Sequence, residues 1–563
     1  MTALDRFFAS YYRLRPVNAT FTGVHAYDDR LPDWSPEGIG AAIDEMRAVR
    51  TALASEGAAG AQPSAGGATS RDPLDDVEVR DRALAASCLD VQLAELGSVH
   101  FQQANPSLAL GEAIFGLVSL MTRPFAPAAD RADSAAARLA GVPAFLAGAR
   151  RSVSAPGIPA AWRARALREC EGGERLFRDG IPRWIAGESF EGTSAARLRT
   201  AADRALRALL EFRGWLDREL PDSEAPGGCG PELFDLLLER GHWTGRSRAD
   251  LQAEARDALD GALARLHDMA DRIAPGGWPE VQARLADQHP SAADYLSTFQ
   301  RIWDECRARA ERLDLVAWPD APIRYVPIPP QTRDAAPYLY YLFYRSPAPF
   351  DRLPVHEYSV TPVDGDLPAE ERARRLRAAN FGAIKLNHVV HHGAIGHHVQ
   401  NYYAYHGPSA IGRVAAVDCA SRIGMFLGGT MAEGWACYAT DLMDEAGFLT
   451  PDESAAQQHT RARLLARAVA DIGLHEGSMT FAEAVALYRD RIGMPAEAAR
   501  AEACRNSMFP GTAVMYWLGT DALHALRRRT AAAWGDAFSL RRFHDRVLAF
   551  GSIPVPLIAR LMA

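Results

Sequence analysis

The chain has 563 residues, 62 basic against 70 acidic side chains, and a net charge of −8. That length exceeds one typical core and predicts two helical regions, 1–220 as an amino-terminal cover and 221–563 as a carboxy-terminal catalytic region, or one continuous domain. There is no basic stripe, and Lys385 is the only lysine, so nothing points to nucleic acid.

Helical patterning dominates from the start, with alanine, leucine and arginine recurring at three- and four-residue spacing. A first helix is predicted over Ala3–Arg15, ending before Pro16, then a turn-rich stretch over Asp28–Trp34 and a helix over Pro36–Ala54. The Gly-, Ala-, Ser- and Pro-rich segment Glu56–Ser70 cannot bury enough apolar surface to offset ordering and reads as a mobile surface insertion. Amphipathic helices follow over Asp75–Leu96, Ser134–Ala149, Ala160–Phe177, Ser194–Leu216 and Ser247–Ile273. The glycine-rich stretch Pro226–Gly230 lacks the spacing of a phosphate loop and reads as a turn.

Two stretches break the helical pattern. Ile323–Pro330 and the aromatic run Tyr338–Tyr344 read as extended backbone, forming a small sheet or wall beside a helical active-site cleft. The seven cysteines, Cys88, Cys170, Cys229, Cys306, Cys419, Cys437 and Cys504, are scattered without a Cys-x-x-Cys pair, as in a reducing compartment. The first residues carry an early acid and no long apolar core, and no stretch of about twenty apolar residues occurs anywhere. A soluble cytoplasmic protein without a membrane partner is expected.

The densest chemistry lies at His391-His392-Gly393-Ala394-Ile395-Gly396-His397-His398, followed by Ala432-Glu433-Gly434-Trp435-Ala436. Imidazole is the commonest neutral metal ligand and the usual acid or base near neutral pH. A helical zinc hydrolase writes His-Glu-x-x-His with the glutamate as general base, and here His392 stands at that place. On a regular helix His388 and His392, four apart, lie about 40° from one another and could share an ion. His391 and His397 lie about 120° apart around a straight helix, and Gly396 offers a break that would swing His397 or His398 back. A buried, unpaired Glu433 would be costly, which favours a ligand or acid–base role. Cys437 falls on the expected core side of the same helix and reads as structural. No Gly-x-Ser-x-Gly nucleophile turn is present.

These residues resemble the bacterial proteins gathered as domain of unknown function 885, which look like helical, zinc-dependent peptidases of the His-Glu type. Pro16–Asp28 resembles that family's opening pattern, and the histidine run is similar to its His-Glu-Ala-Tyr-Pro-Gly-His-His-Leu-Gln signature. Glu433-Gly434-Trp435-Ala436 with Tyr438, Asp471-Ile472-Gly473-Leu474-His475, and Pro510-Gly511-Thr512-Ala513-Val514-Met515-Tyr516 resemble three further segments in the family's order. The resemblance implies an all-α, metallopeptidase-like fold with a deep cleft. It also implies a divalent metal, zinc by preference, held by His391, His397 of the His397–His398 pair, and Glu433. His392, His398, His475, Arg505 and Tyr516 are then the remaining catalytic candidates, with His392 or His475 handling a proton and Arg505 clamping a substrate carboxylate or pairing with Glu433. The chain departs from the family pattern at His392 for glutamate, Ile395 for proline, Asn506 for tyrosine and Thr512 for glutamine, with His388 extra. Scaffold positions are kept while the base is exchanged, which weighs against ordinary peptide hydrolysis. The expected activity is a metal-dependent enzyme, a hydrolase in the first instance, acting on a small amide, peptide-like or carboxylate-bearing substrate. The alternatives are a lyase or dehydratase on the same scaffold and a non-catalytic binding protein.

Overall fold

Local sequence rules set most helix boundaries in the computed structural model, which describes residues 1–60, 72–223, 227–339, 348–351, 353, 355–364, 367–417 and 422–563. Thr2 and Asp5 form a capping box for the helix Ala3–Leu14, and Pro16 starts the next one, Pro16–Thr22. The helix from Pro36 runs to Gly60, six residues beyond the expected Ala54, because its alanines continue a good helical stretch into the supposed loop. The remainder of that loop expectation lies outside the described residues, as do Tyr340–Tyr344 and part of Pro226–Gly230. The helices Val77–Gly97, Ala128–Ser152, Ala160–Arg175, Gly192–Arg218 and Arg248–Ile273 extend or closely match the predicted spans.

The described residues are mostly helical, with one two-stranded parallel sheet. Its strands are β1 (Ile323–Pro327) and β2 (His356–Val360), in register with Tyr325 opposite Tyr358. β1 falls inside the predicted extended segment, whereas β2 was not anticipated. Tyr338 is not in a strand: it closes the 3₁₀ turn Ala336–Tyr338, where Pro337 fixes the local backbone.

The chain divides into two compact units. One is Met1–Leu233 with the described parts of Ile328–Leu342 and Pro347–Leu353; the other comprises the described parts of Phe234–Pro327 and Pro354–Ala563. In the first unit Arg138 is fully buried, where its guanidinium donates to the carbonyls of Arg30, Gly116 and Tyr27 and to Thr20 Oγ1. Four acceptors compensate the desolvation of one buried cation and fix the turn after Thr22.

The second unit carries the elements that matter for the histidines. They are α1 (Ile384–Gly393), α2 (His397–His406), α3 (Gly429–Glu445), α4 (Pro451–Glu476), α5 (Ala496–Met508) and α6 (Val514–Trp534). The single lysine has a structural place here. Lys385 on α1 donates to Glu453 Oε2 at 2.6 Å, and that same carboxylate caps the start of α4 by accepting from Thr450 N. Gly434 allows α3 and α6 to touch, since a Cβ there would meet the backbone of Gly519.

Candidate metal centre

α1 is π-helical, with hydrogen bonds reaching five residues back, as in Ala394 N to Val389 O at 2.8 Å. The chain then turns sharply. Gly396 N bonds Val390 O, and a Cβ at 396 would overlap the His391 carbonyl oxygen, so only glycine permits this turn. Carbonyls freed at a helix end need partners. Two indoles supply them: Trp303 Nε1 donates to Gly393 O at 2.6 Å and Trp435 Nε1 to Ile395 O at 2.8 Å. The Glu433-Gly434-Trp435 motif therefore supplies a carboxylate, a close helix approach and a clamp on the histidine turn in consecutive residues.

The turn brings His397, at the first position of α2, back beside His391. Their ring centroids are 4.8 Å apart, with His391–His392 at 4.7 Å and His392–His397 at 5.3 Å. Glu433 Oε2 lies 3.4 Å from His391 Nε2 and 3.6 Å from His397 Nε2. Those distances are long for charge-assisted hydrogen bonds, which run at about 2.7–2.9 Å. They match the edge of a tetrahedron around a zinc-sized ion, about 3.4 Å for bonds near 2.1 Å. Glu433 Oε2 is buried and accepts no hydrogen bond among the described residues. Leaving a carboxylate so would cost several kcal/mol in the absence of a cation. Burial opposes its ionisation, yet the two imidazoles outweigh burial and hold its carboxyl well below the usual range. A divalent cation fits this donor set. His397 is buried, whereas His391 and His392 keep some solvent access.

The model of a family described as "Bacterial protein of unknown function (DUF885)" matches residues 16–562. The chain belongs to this DUF885 family. Two solved structures are similar over all of this chain and 98% of their own. One is "a putative lipoprotein of unknown function from Shewanella oneidensis", with a TM-score of 0.75 and 22% identity; the other is "the putative lipoprotein from Colwellia psychrerythraea", at 0.76 and 16%. At such identities they share the fold. No curated protein matches.

The other histidines of this DUF885 member go elsewhere. His398 points away from His397, with Nε2 2.7 Å from Ala321 O, and burial lowers its pKa. Consecutive helical residues face about 100° apart, so only one of the pair reaches Glu433. His388 does not pair with His392 as a second ligand couple. Its Nδ1 meets Tyr358 Oη at 2.6 Å, and burial pushes it down to about 4. Its bond to Tyr358 directs the His388 ring elsewhere.

His475 is fully buried, its Nε2 donating to Asn506 O at 2.9 Å, so that nitrogen carries a hydrogen. Asp471, one turn earlier, accepts from the backbone N–H groups of Gly511, Ala513 and Val514. Burial raises Asp471 to about 7 against those donors. Together they fix the Pro510–Val514 turn that leads into α6. Asn506 instead meets Tyr488 Oη and Arg467 O. Arg505 is placed with Tyr516, at 3.5 Å from Nη2 to Oη. Tyr516 also borders a cavity of about 100 Å³ with Cys437, Asp441, Gln457, Arg461 and Thr520. Burial, and then the Glu433 charge, push the Cys437 thiol well above its ordinary value, which disfavours the thiolate. Sequence reasoning missed Tyr358 and the two indoles Trp303 and Trp435. The aromatic at the centre of His356–Val360 and the tryptophan within the Glu-Gly-Trp motif were the available signals.

Proposed function

We propose that the chain is a metal-dependent enzyme of metallopeptidase-like fold, acting on a small amide, peptide-like or carboxylate-bearing molecule held in a cleft. The observation that carries this reading is the buried Glu433 Oε2, 3.4 and 3.6 Å from two imidazole nitrogens and without a hydrogen bond of its own. His391 Nε2, His397 Nε2 and Glu433 Oε2 would hold the ion. When bound, a divalent cation such as zinc supplies Lewis acidity toward a carbonyl or carboxylate oxygen. Arg505 and Tyr516 are the groups suited to a substrate carboxylate, as a planar guanidinium beside a hydroxyl. Trp303 and Trp435 keep the turn between α1 and α2 rigid, which holds His397 toward Glu433.

A second reading is a lyase or dehydratase, favoured by the imidazole of His392 where a water-activating glutamate is expected. The six described cysteines form no disulfide, which supports a cytoplasmic location; the word lipoprotein in the names of the two structural relatives pulls the other way. No described helix is long and apolar enough to cross a membrane.

The test is metal analysis of untagged protein, followed by turnover of a panel of peptides, amides and hydroxy acids by the loaded protein. One equivalent of ion, lost in His391→Ala together with turnover, is the expected result. A chain that cannot be loaded with zinc, manganese or iron refutes the reading, and a loaded chain inert on every class is a binding protein.

A further inference from the structure

His391, His392 and His397 are placed as a set. Three imidazoles bound through nitrogen to one tetrahedral ion have ring centroids roughly 5 Å apart, given bonds near 2.1 Å. The observed separations are 4.7, 4.8 and 5.3 Å. Side chains one apart diverge by about 100° on a regular α-helix, and the π-helical geometry of α1 turns somewhat less per residue, which favours the two adjacent rings on one side.

The hydrogen bonding of His392 fixes its chemistry. Its Nδ1 lies 2.7 Å from the Asn387 carbonyl oxygen, five residues back. A carbonyl only accepts, so Nδ1 carries the hydrogen and the lone pair resides on Nε2. Metal-binding histidines are commonly oriented this way, with the outer ring N–H given to a backbone carbonyl. One nitrogen from each of His391, His392 and His397 lies within 4.8 Å of the others, a set that does not include Glu433, so a four-ligand centre requires the His392 ring to close toward the His391, His397 and Glu433 side of the site.

We propose that His392 is a third imidazole ligand, making the centre three histidines plus Glu433 for a late first-row divalent cation such as zinc, cobalt or nickel. This rests on the metal reading above and replaces the proton-handling role expected of His392 from the sequence. His392 would then no longer be available to take a proton from water. With three histidines and Glu433 as its holders, a bound cation would supply Lewis acidity toward a substrate oxygen. The centre suits polarising a substrate carbonyl or carboxylate more than launching water at it.

The experiment uses the full, untagged chain stripped with chelator and reloaded with one equivalent of zinc. X-ray absorption at the zinc edge should count three imidazoles and one oxygen in the wild type. In His392→Ala it should count two imidazoles, with the zinc Kd, measured by competition with a chromophoric chelator, weakened by at least about 100-fold, beyond what an outer-shell partner costs. Two imidazoles in the wild type, or an unchanged Kd in His392→Ala, overturn the proposal while leaving a metal enzyme standing. A wild-type chain that takes up no zinc, cobalt or nickel overturns the proposal, and one that takes up no manganese or iron either overturns the metal reading as well. Should His392→Ala fail to fold by circular dichroism, the wild-type imidazole count alone decides.

Discussion

His25 in the first unit and His391 in the second both face carboxylates, at different distances. His25 Nδ1 and Nε2 each lie 2.8 Å from a carboxylate oxygen, of Asp28 and Asp351, while its ring stacks on Phe125 at 3.8 Å. Burial works against charging that ring, but the two aspartates outweigh burial and lift His25 to about 9. Glu433 instead stands 3.4 and 3.6 Å from its imidazoles, with its inner oxygen accepting no hydrogen bond. Identical side-chain chemistry thus gives a finished ion pair in one place and a cage about one cation wide in the other. The 2.8 Å group is closed by its own hydrogen bonds; the wider one leaves a carboxylate oxygen without one, which is where the proposed metal would bind.

The largest expected effect is at the wider site. His397→Ala or Glu433→Ala should weaken zinc binding at least about 100-fold, beyond what outer-shell partners cost, as read by chelator competition. Retained affinity in both variants would erase the contrast with His25. Next comes the turn that brings His397 back. Gly396→Ala should destabilise the fold by about 2–3 kcal/mol in urea unfolding, because the new methyl overlaps the His391 carbonyl, and should lower zinc affinity as well.

His25→Gln tests the finished ion pair. A folded-state pKa raised to about 9 gives stability that is fully present below the unfolded value of 6.5 and lost as pH rises through 9. The variant should cost about 2 kcal/mol at pH 6, after allowing for solvent screening of a partly exposed ring, and almost nothing at pH 10. Equal destabilisation at both pH values would mean that shape, and not charge, dominates there. The smallest effect belongs to His398→Ala. It should cost about 1 kcal/mol for the lost bond to Ala321 O and leave the zinc Kd unchanged, in contrast to its neighbour His397.

Much of the scaffold was legible because helix capping, apolar periodicity and proline placement are local. The first helix ending before Pro16 and the extended backbone within Ile323–Pro330 follow from neighbours in sequence. The five motifs also carried the family, which the match over residues 16–562 now gives. β2 was not legible, since residues 356–360 become a strand only by pairing with residues 323–327. Nor were the separate roles of His397 and His398, which are alike in type and differ only in direction.

By itself the sequence determined a helical chain of this family, with histidines gathered around a glycine turn and one motif carboxylate downstream. Helical preference and the need for glycine where backbones crowd are properties of short segments, so they can be read there. Tertiary structure alone decided that α1 is π-helical, that His392 gives its Nδ1 hydrogen to Asn387, that His388 meets Tyr358, and that Glu433 lies one tetrahedral edge from two imidazoles. The physical reason is distance along the chain. Some forty residues separate the histidines from Glu433, and only the packing of α1, α2 and α3 sets the gap between them.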